Sequence, residues 1–180
     1  GEGGEFALRR VALSSRGAGF DVLAARRLLG SRLDAARGLF GDPEWAVRTF
    51  AVRLFADDPD GLARTAIRDG FADPHPLPRG LCVGALPLPD DRNAREALAA
   101  EFERLRLDDP SKEVRDAAKE RLRRDFPARL ALDPAALSET QAAHVLESLD
   151  PESDEDERYA FDRLDAGRPA ERLAAAEFLD

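Results

Sequence analysis

Apolar residues recur along this chain at helical spacing. Val47, Phe50, Ala51, Leu54 and Phe55 follow the i, i+3, i+4, i+7, i+8 order that gathers them on one stripe of a helix. The same order returns in Leu62, Ala63, Ala66, Ile67 and Phe71. It returns again in Ala94, Leu98, Phe102 and Leu105, and in Val114, Ala117, Ala118 and Leu122, a stripe that also includes Arg121. Shorter stripes precede them, in residues 6–13, in a helix from about Asp21 carrying Val22, Leu23, Leu28 and Leu29, and in Leu33, Ala36, Leu39 and Phe40. Others follow: Ala142 and Leu146, then Tyr159, Phe161 and Leu164, then a last helix from Pro169 with Leu173, Ala176, Phe178 and Leu179 inward. No segment alternates apolar and polar residues as a half-buried strand does, so the pattern predicts an all-α chain.

Polar punctuation separates the stripes. Asp42-Pro43, Asp58-Pro59, Asp90-Asp91, Asp109-Pro110 and Asp133-Pro134 each stand before one, as helix-starting residues do. Ser138 and Gln141 have the spacing of a capping box for a helix over 140–149. Between Asp73 and Pro89, Pro74, Pro76 and Pro78 together with Gly80 and Gly84 predict only a short helix over 78–86, stopped by Pro87 and Pro89.

One phrase repeats: an Asp-Pro, then a Val-Arg, then small and large apolar residues at helical spacing. Its best copies are Asp42, Pro43, Val47, Arg48, Ala51, Phe55 and Asp109, Pro110, Val114, Arg115, Ala118, Leu122. A degraded copy lies between, with Asp73, Pro74, Pro78, Arg79, Cys82 and Leu86. Self-similarity at a period of about 30–40 residues is the mark of stacked helical pairs. A single pair cannot bury its apolar face, whereas neighbours in a row can. Small Ala51 and Ala118 fit close helix approach, and Arg48, Arg79 and Arg115 are placed to reach the Asp of their own or a neighbouring turn.

The phrase resembles the HEAT-repeat family. In that family the Asp lies in the turn between paired helices and the Val-Arg opens the second helix. The resemblance implies one α-solenoid domain over 1–180 with five pairs near 31–56, 59–87, 90–124, 127–149 and 152–179, irregular near 74–89. The motif positions it marks are Asp42, Val47, Asp73, Arg79, Asp109, Val114, Asp133 and Arg172. Glu139 and Ala166 depart from the pattern, as does Pro78 in place of Val. The resemblance further implies a non-enzymatic interaction scaffold whose second helices line a groove for a protein or peptide, through Glu44, Trp45, Arg48, Arg115, Lys119, Arg123 and Glu171. Two rival readings accompany it. One is a HEAT-like enzyme, an alkylpurine DNA glycosylase using Trp45, Arg48 and Arg53 or a bilin lyase. The other is a regulatory or spacer segment of a multidomain protein, with other domains of the parent chain as its partners.

Charge narrows the partners. Net charge is −9, with 25 arginines and two lysines, and residues 1–56 carry +3 while the remainder carries −12. An acidic body repels phosphate backbones, which sets nucleic acid aside. No run is long and apolar enough for a membrane helix, and no secretory signal opens the chain, so a cytoplasmic protein is expected. The sequence contains no Met, opens Gly1-Glu2-Gly3-Gly4-Glu5 and ends in a helical pattern, which reads as a tag remnant over 1–5 and a fragment of a larger protein.

Candidate chemistry is sparse, and no cofactor or metal is expected. His75 and His144 share no ligand spacing and read as packing or surface residues. Cys82, the only cysteine, fills a slot taken by Ala in the better copies and reads as a small buried hydrophobe. Trp45, the only Trp, reads either as a packed cap or as a partner's anchor. Six acids between Asp150 and Glu157 lack the Gly and spacing of a calcium loop, and suit a solvated helix start or the landing site of a basic partner.

Overall fold

A computed structural model describes residues 9–13, 36–56, 61–130, 136–149, 153–166 and 169–179. Most of these residues are helical, with no strand among them. The helices are α1 (Trp45–Phe55), α2 (Gly61–Asp69), α3 (Pro76–Ala85), α4 (Arg92–Asp108), α5 (Lys112–Asp125), α6 (Glu139–Glu147), α7 (Asp154–Ala166) and α8 (Pro169–Leu179). Residues 9–13 are helical too, and short 3-10 turns occupy Arg37–Gly41, Gly70–Ala72 and Pro127–Arg129. No helix among the described residues is long and apolar enough to cross a membrane. The chain divides into two compact units, Gly1–Pro89 and Asp90–Asp180.

In the N-terminal unit α1 packs on α3 and on the 3-10 turn before it. Its predicted stripe is the core: Val47, Ala51 and Leu54 are sealed from solvent, with Phe50 and Phe55 nearly so. Ala63, Ile67, Phe71, Cys82, Val83 and Leu86 complete it. Helix α3 starts two residues earlier than predicted. Pro76 and Pro78 fall in its first turn, where an N–H has no partner to lose, so the prolines begin the helix rather than break it. Gly70 lies against Cys82; a Cβ there would meet the sulfur at 2.4 Å, so the turn and helix touch only because Gly70 has no side chain.

In the C-terminal unit α4 packs on α5, α6 on α8, and α7 on α8. Leu98, Phe102 and Leu105 meet buried Val114, Ala118 and Leu122 as the stripes predict. Buried Arg121 also keeps its predicted inward place, with its guanidinium 5.0 Å from the Phe102 ring and its Nε donating to Asp125. Three apolar positions depart from prediction. Ala94 is exposed in the first turn of α4, and Phe161 and Leu173 are 51% and 64% exposed because Ala160 and Ala175 take the inward places of α7 and α8. The Ser138–Gln141 capping box forms with both bonds, 3.0 and 3.1 Å, although the helix runs over 139–147.

The Asp-Pro positions differ from simple helix caps. Asp42 and Asp109 lie two residues before their helix caps, Glu44 and Ser111, and Pro43 and Pro110 precede the helices. Asp91, by contrast, is a true cap and accepts the Ala94 N–H at 2.8 Å. Leu62 and Asp58, Asp133 with Pro134, the predicted helix from Asp21, and the proposed terminal remnant over 1–5 lie outside the described residues or side chains.

Candidate functional site

The repeated phrase makes the same clamp at three turns. The carboxylate of Asp42 accepts the Glu44 N–H at 2.8 Å, that of Asp73 the His75 N–H at 2.8 Å, and that of Asp109 the Ser111 N–H at 2.9 Å. Six residues after each Asp an arginine returns to its carbonyl: Arg48 to Asp42 at 2.8 Å, Arg79 to Asp73 at 2.6 Å, Arg115 to Asp109 at 2.9 Å. A helix dictates this reach, since the arginine lies one turn inside it and its long stem runs back over the N-terminus. The clamp satisfies turn groups that burial would otherwise leave unpaired.

Some of these arginines also bridge to the following turn. Arg48 grips Asp73 with two parallel bonds, Nε to Oδ2 at 2.6 Å and Nη2 to Oδ1 at 2.7 Å. Arg9 holds Asp42 in the same way, through Nε at 2.6 Å. Arg115 is paired with Glu147, and Lys119 donates to the Ser148 carbonyl at 2.8 Å and to Asp156 at 3.2 Å. Burial works to raise the pKa of Asp42 and Asp73. The arginine and backbone N–H bonds outweigh it and hold both carboxylates below their usual range.

These bonds change the place of several predicted groove residues. Arg115 is 2% exposed and Glu171 is 3% exposed, so both belong to the interior of their unit. Arg48 gives four hydrogen bonds, to Asp73, Asp42 and Pro43, and Lys119 donates to Ser148 and Asp156. Arg123 is exposed and pairs along its own helix with Glu120 at 2.8 Å. Glu44 is half-buried beside the first turn. Among the motif positions Val47 and Val114 are sealed, Arg172 is exposed, and Asp133 lies outside the described residues. Arg53, of the glycosylase set, is exposed.

Trp45 meets a partner that its sequence neighbourhood does not suggest. Its indole stacks on the His75 imidazole with ring centroids 4.3 Å apart and planes within 5° of parallel. The relation follows from the turns: His75 is two residues past Asp73, and Trp45 is three past Asp42. When Arg48 draws the two turns together, these positions face each other. The His75 Nδ1 accepts the Leu77 N–H at 3.3 Å, which fixes the ring at the start of α3. Both rings are half-buried, so the stack is a flat, braced aromatic step with an accessible edge.

In the same unit a cleft of about 380 Å³ is lined by the Arg48–Asp73 pair together with Phe40, Val52, Pro78 and Cys82, and neither ring of the stack lines it. Burial pushes the Cys82 thiol up to about 12, with the Asp73 charge acting in the same direction, so the sulfur is a neutral apolar floor rather than a nucleophile. His144 is occupied elsewhere, its Nδ1 2.7 Å from the Leu107 carbonyl. No group of three metal-ligating side chains occurs among the described residues. The acidic run meets the start of α7, where Asp156 takes Lys119 as partner. Comparison of the chain with protein-family models, with curated proteins and with solved structures finds no match.

Proposed function

We propose that this chain is a non-enzymatic protein–protein interaction scaffold, an α-solenoid of HEAT-like helix pairs, that offers the Trp45–His75 step to a protein or peptide. The observation that carries the reading is the contrast at the start of α1. Arg48 is consumed by the turns, while Trp45, one helical turn earlier, is a braced, half-buried aromatic surface. A ring already held in place loses little freedom when a partner covers it, and Trp is the residue type most enriched among binding hot spots. The recurrence of one clamp at Asp42, Asp73 and Asp109, with sealed Ala51 and Ala118 at matching positions, supports the repeat reading. The glycosylase reading would need Arg48 free to meet a phosphate or base, which its four bonds oppose.

The test is affinity capture from the source cell's lysate with wild-type and Trp45→Ala chains of matching helicity. The wild type is expected to retain a defined partner, and Trp45→Ala to weaken its capture about tenfold or more, the loss of roughly 1.4 kcal/mol or above. Identical captures by both chains would overturn the role of the step.

A further inference from the structure

The α7–α8 hairpin is well filled on its inner side. Ala160 and Ala175 are fully buried there, with Leu146 beneath and Tyr159, Leu164 and Phe178 packed around them. Its outer side carries the two most exposed large apolar side chains among the described residues, Phe161 and Leu173. The two helices pack against each other, so both exposed side chains belong to one hairpin.

Charge frames these residues. Glu157 and Asp165 lie one helical turn before and after Phe161, Asp162 beside it, and Glu177 one turn after Leu173; these four exposed acids outnumber the two exposed arginines nearby, Arg158 and Arg172. Over residues 150–180 there are eleven acids against four arginines. Apolar anchors inside an acidic frame complement a helix whose apolar stripe is bordered by Lys and Arg. The same frame repels nucleic acid and anionic lipid, and it opposes a second copy of this chain that would bring the same acids face to face.

We infer that this outer face docks a basic amphipathic helix of a partner protein. The inference rests on the scaffold reading and adds a second contact surface with a defined partner chemistry.

The probe is a synthetic Leu/Lys amphipathic helix of about five turns, titrated into the full chain at physiological salt beside a scrambled peptide of equal composition. Wild type is expected to bind the amphipathic peptide at least about tenfold tighter than the scrambled one. Phe161→Glu with Leu173→Glu, both at exposed positions, is expected to abolish that preference while the melting temperature holds. Asp165→Lys, which keeps both anchors, is expected to weaken binding less. Equal binding of the two peptides would overturn the inference, as would a preference that survives the double variant. Either result leaves the Trp45→Ala capture test standing, so failure here is distinct from failure of the scaffold reading. A wild-type dimer in sedimentation that the double variant dissolves would also overturn it, by making a second copy the occupant.

Discussion

Arg48 and Asp73 are joined by two parallel hydrogen bonds of 2.6 and 2.7 Å across 25 residues of sequence. Side-chain exposures of 13% and 7% place the pair largely out of water. Removing one partner there strands the other, a cost of about 3 kcal/mol or more, well above that of a surface pair. Asp73→Asn is therefore expected to lower the urea midpoint of the protein by a corresponding amount at neutral pH. A change of only a few tenths of a kcal/mol would mean that the bridge is ornamental.

The same pair sets a pH dependence. Asp42 and Asp73 have folded-state pKa values below their ordinary ones, so the unfolded chain takes up protons first as pH falls. Their stabilisation is complete above the unfolded value, near 4, and drains away as pH drops through the lower folded value. Urea midpoints measured from pH 6 downward should fall steeply below about pH 4 in the wild type. The decline should be shallower in the Asp73→Asn variant, which has one fewer depressed carboxylate.

Gly70 and Cys82 make a second coupled pair. Gly70→Ala drives a methyl group into the Cys82 sulfur and is expected to cost about 1–3 kcal/mol. With Cys82→Ala in place the next contact is an ordinary 3.4 Å, so the double variant should recover most of that penalty relative to Cys82→Ala alone. Thermal unfolding of the four proteins reads the coupling directly. Additive losses would refute the close approach.

The Cys82 thiol itself should be silent. With a pKa near 12 and 1% exposure, it should react with a disulfide reagent at pH 8 far more slowly than a free thiol, and reach the free rate once urea unfolds the chain. Fast labelling of the folded protein would contradict its burial.

Val114 tests the register of the C-terminal unit. It is sealed between α4 and α5, and Val114→Asp would leave a carboxylate with no partner there. A loss of several kcal/mol and of cooperative unfolding is expected. A wild-type melting curve would show the stripe to be misplaced.

Much of this architecture is written in short-range pattern. The stripe from Val47 to Phe55 and the Ser138–Gln141 box depend only on spacing along one helix, and both appear as read. The fate of charges was less legible. Arg115 and Arg123 look alike in sequence, eight residues apart on α5, yet one is interior and the other in water; which face meets α4 decides, and that is tertiary information. Leu173 fits a helical stripe, but Ala175 takes the inward place beside Leu146 and Ala160, and which face of the helix meets those neighbours is tertiary information. The Trp45–His75 stack has no local signature at all. It arises only when two turns are brought side by side, and the two residues stand at different offsets, three and two, after the Asp of their Asp-Pro pairs.

The charges of the repeated phrase hold successive turns together beside the Trp45–His75 stack. A double-mutant cycle on Arg48→Ala and Asp73→Ala, read by equilibrium urea unfolding, measures that coupling. A coupling energy of about 1.5–3 kcal/mol is expected. Single losses that simply add, within about 0.5 kcal/mol, would show that the two residues do not hold each other and would return Arg48 to the pool of ligand-binding groups.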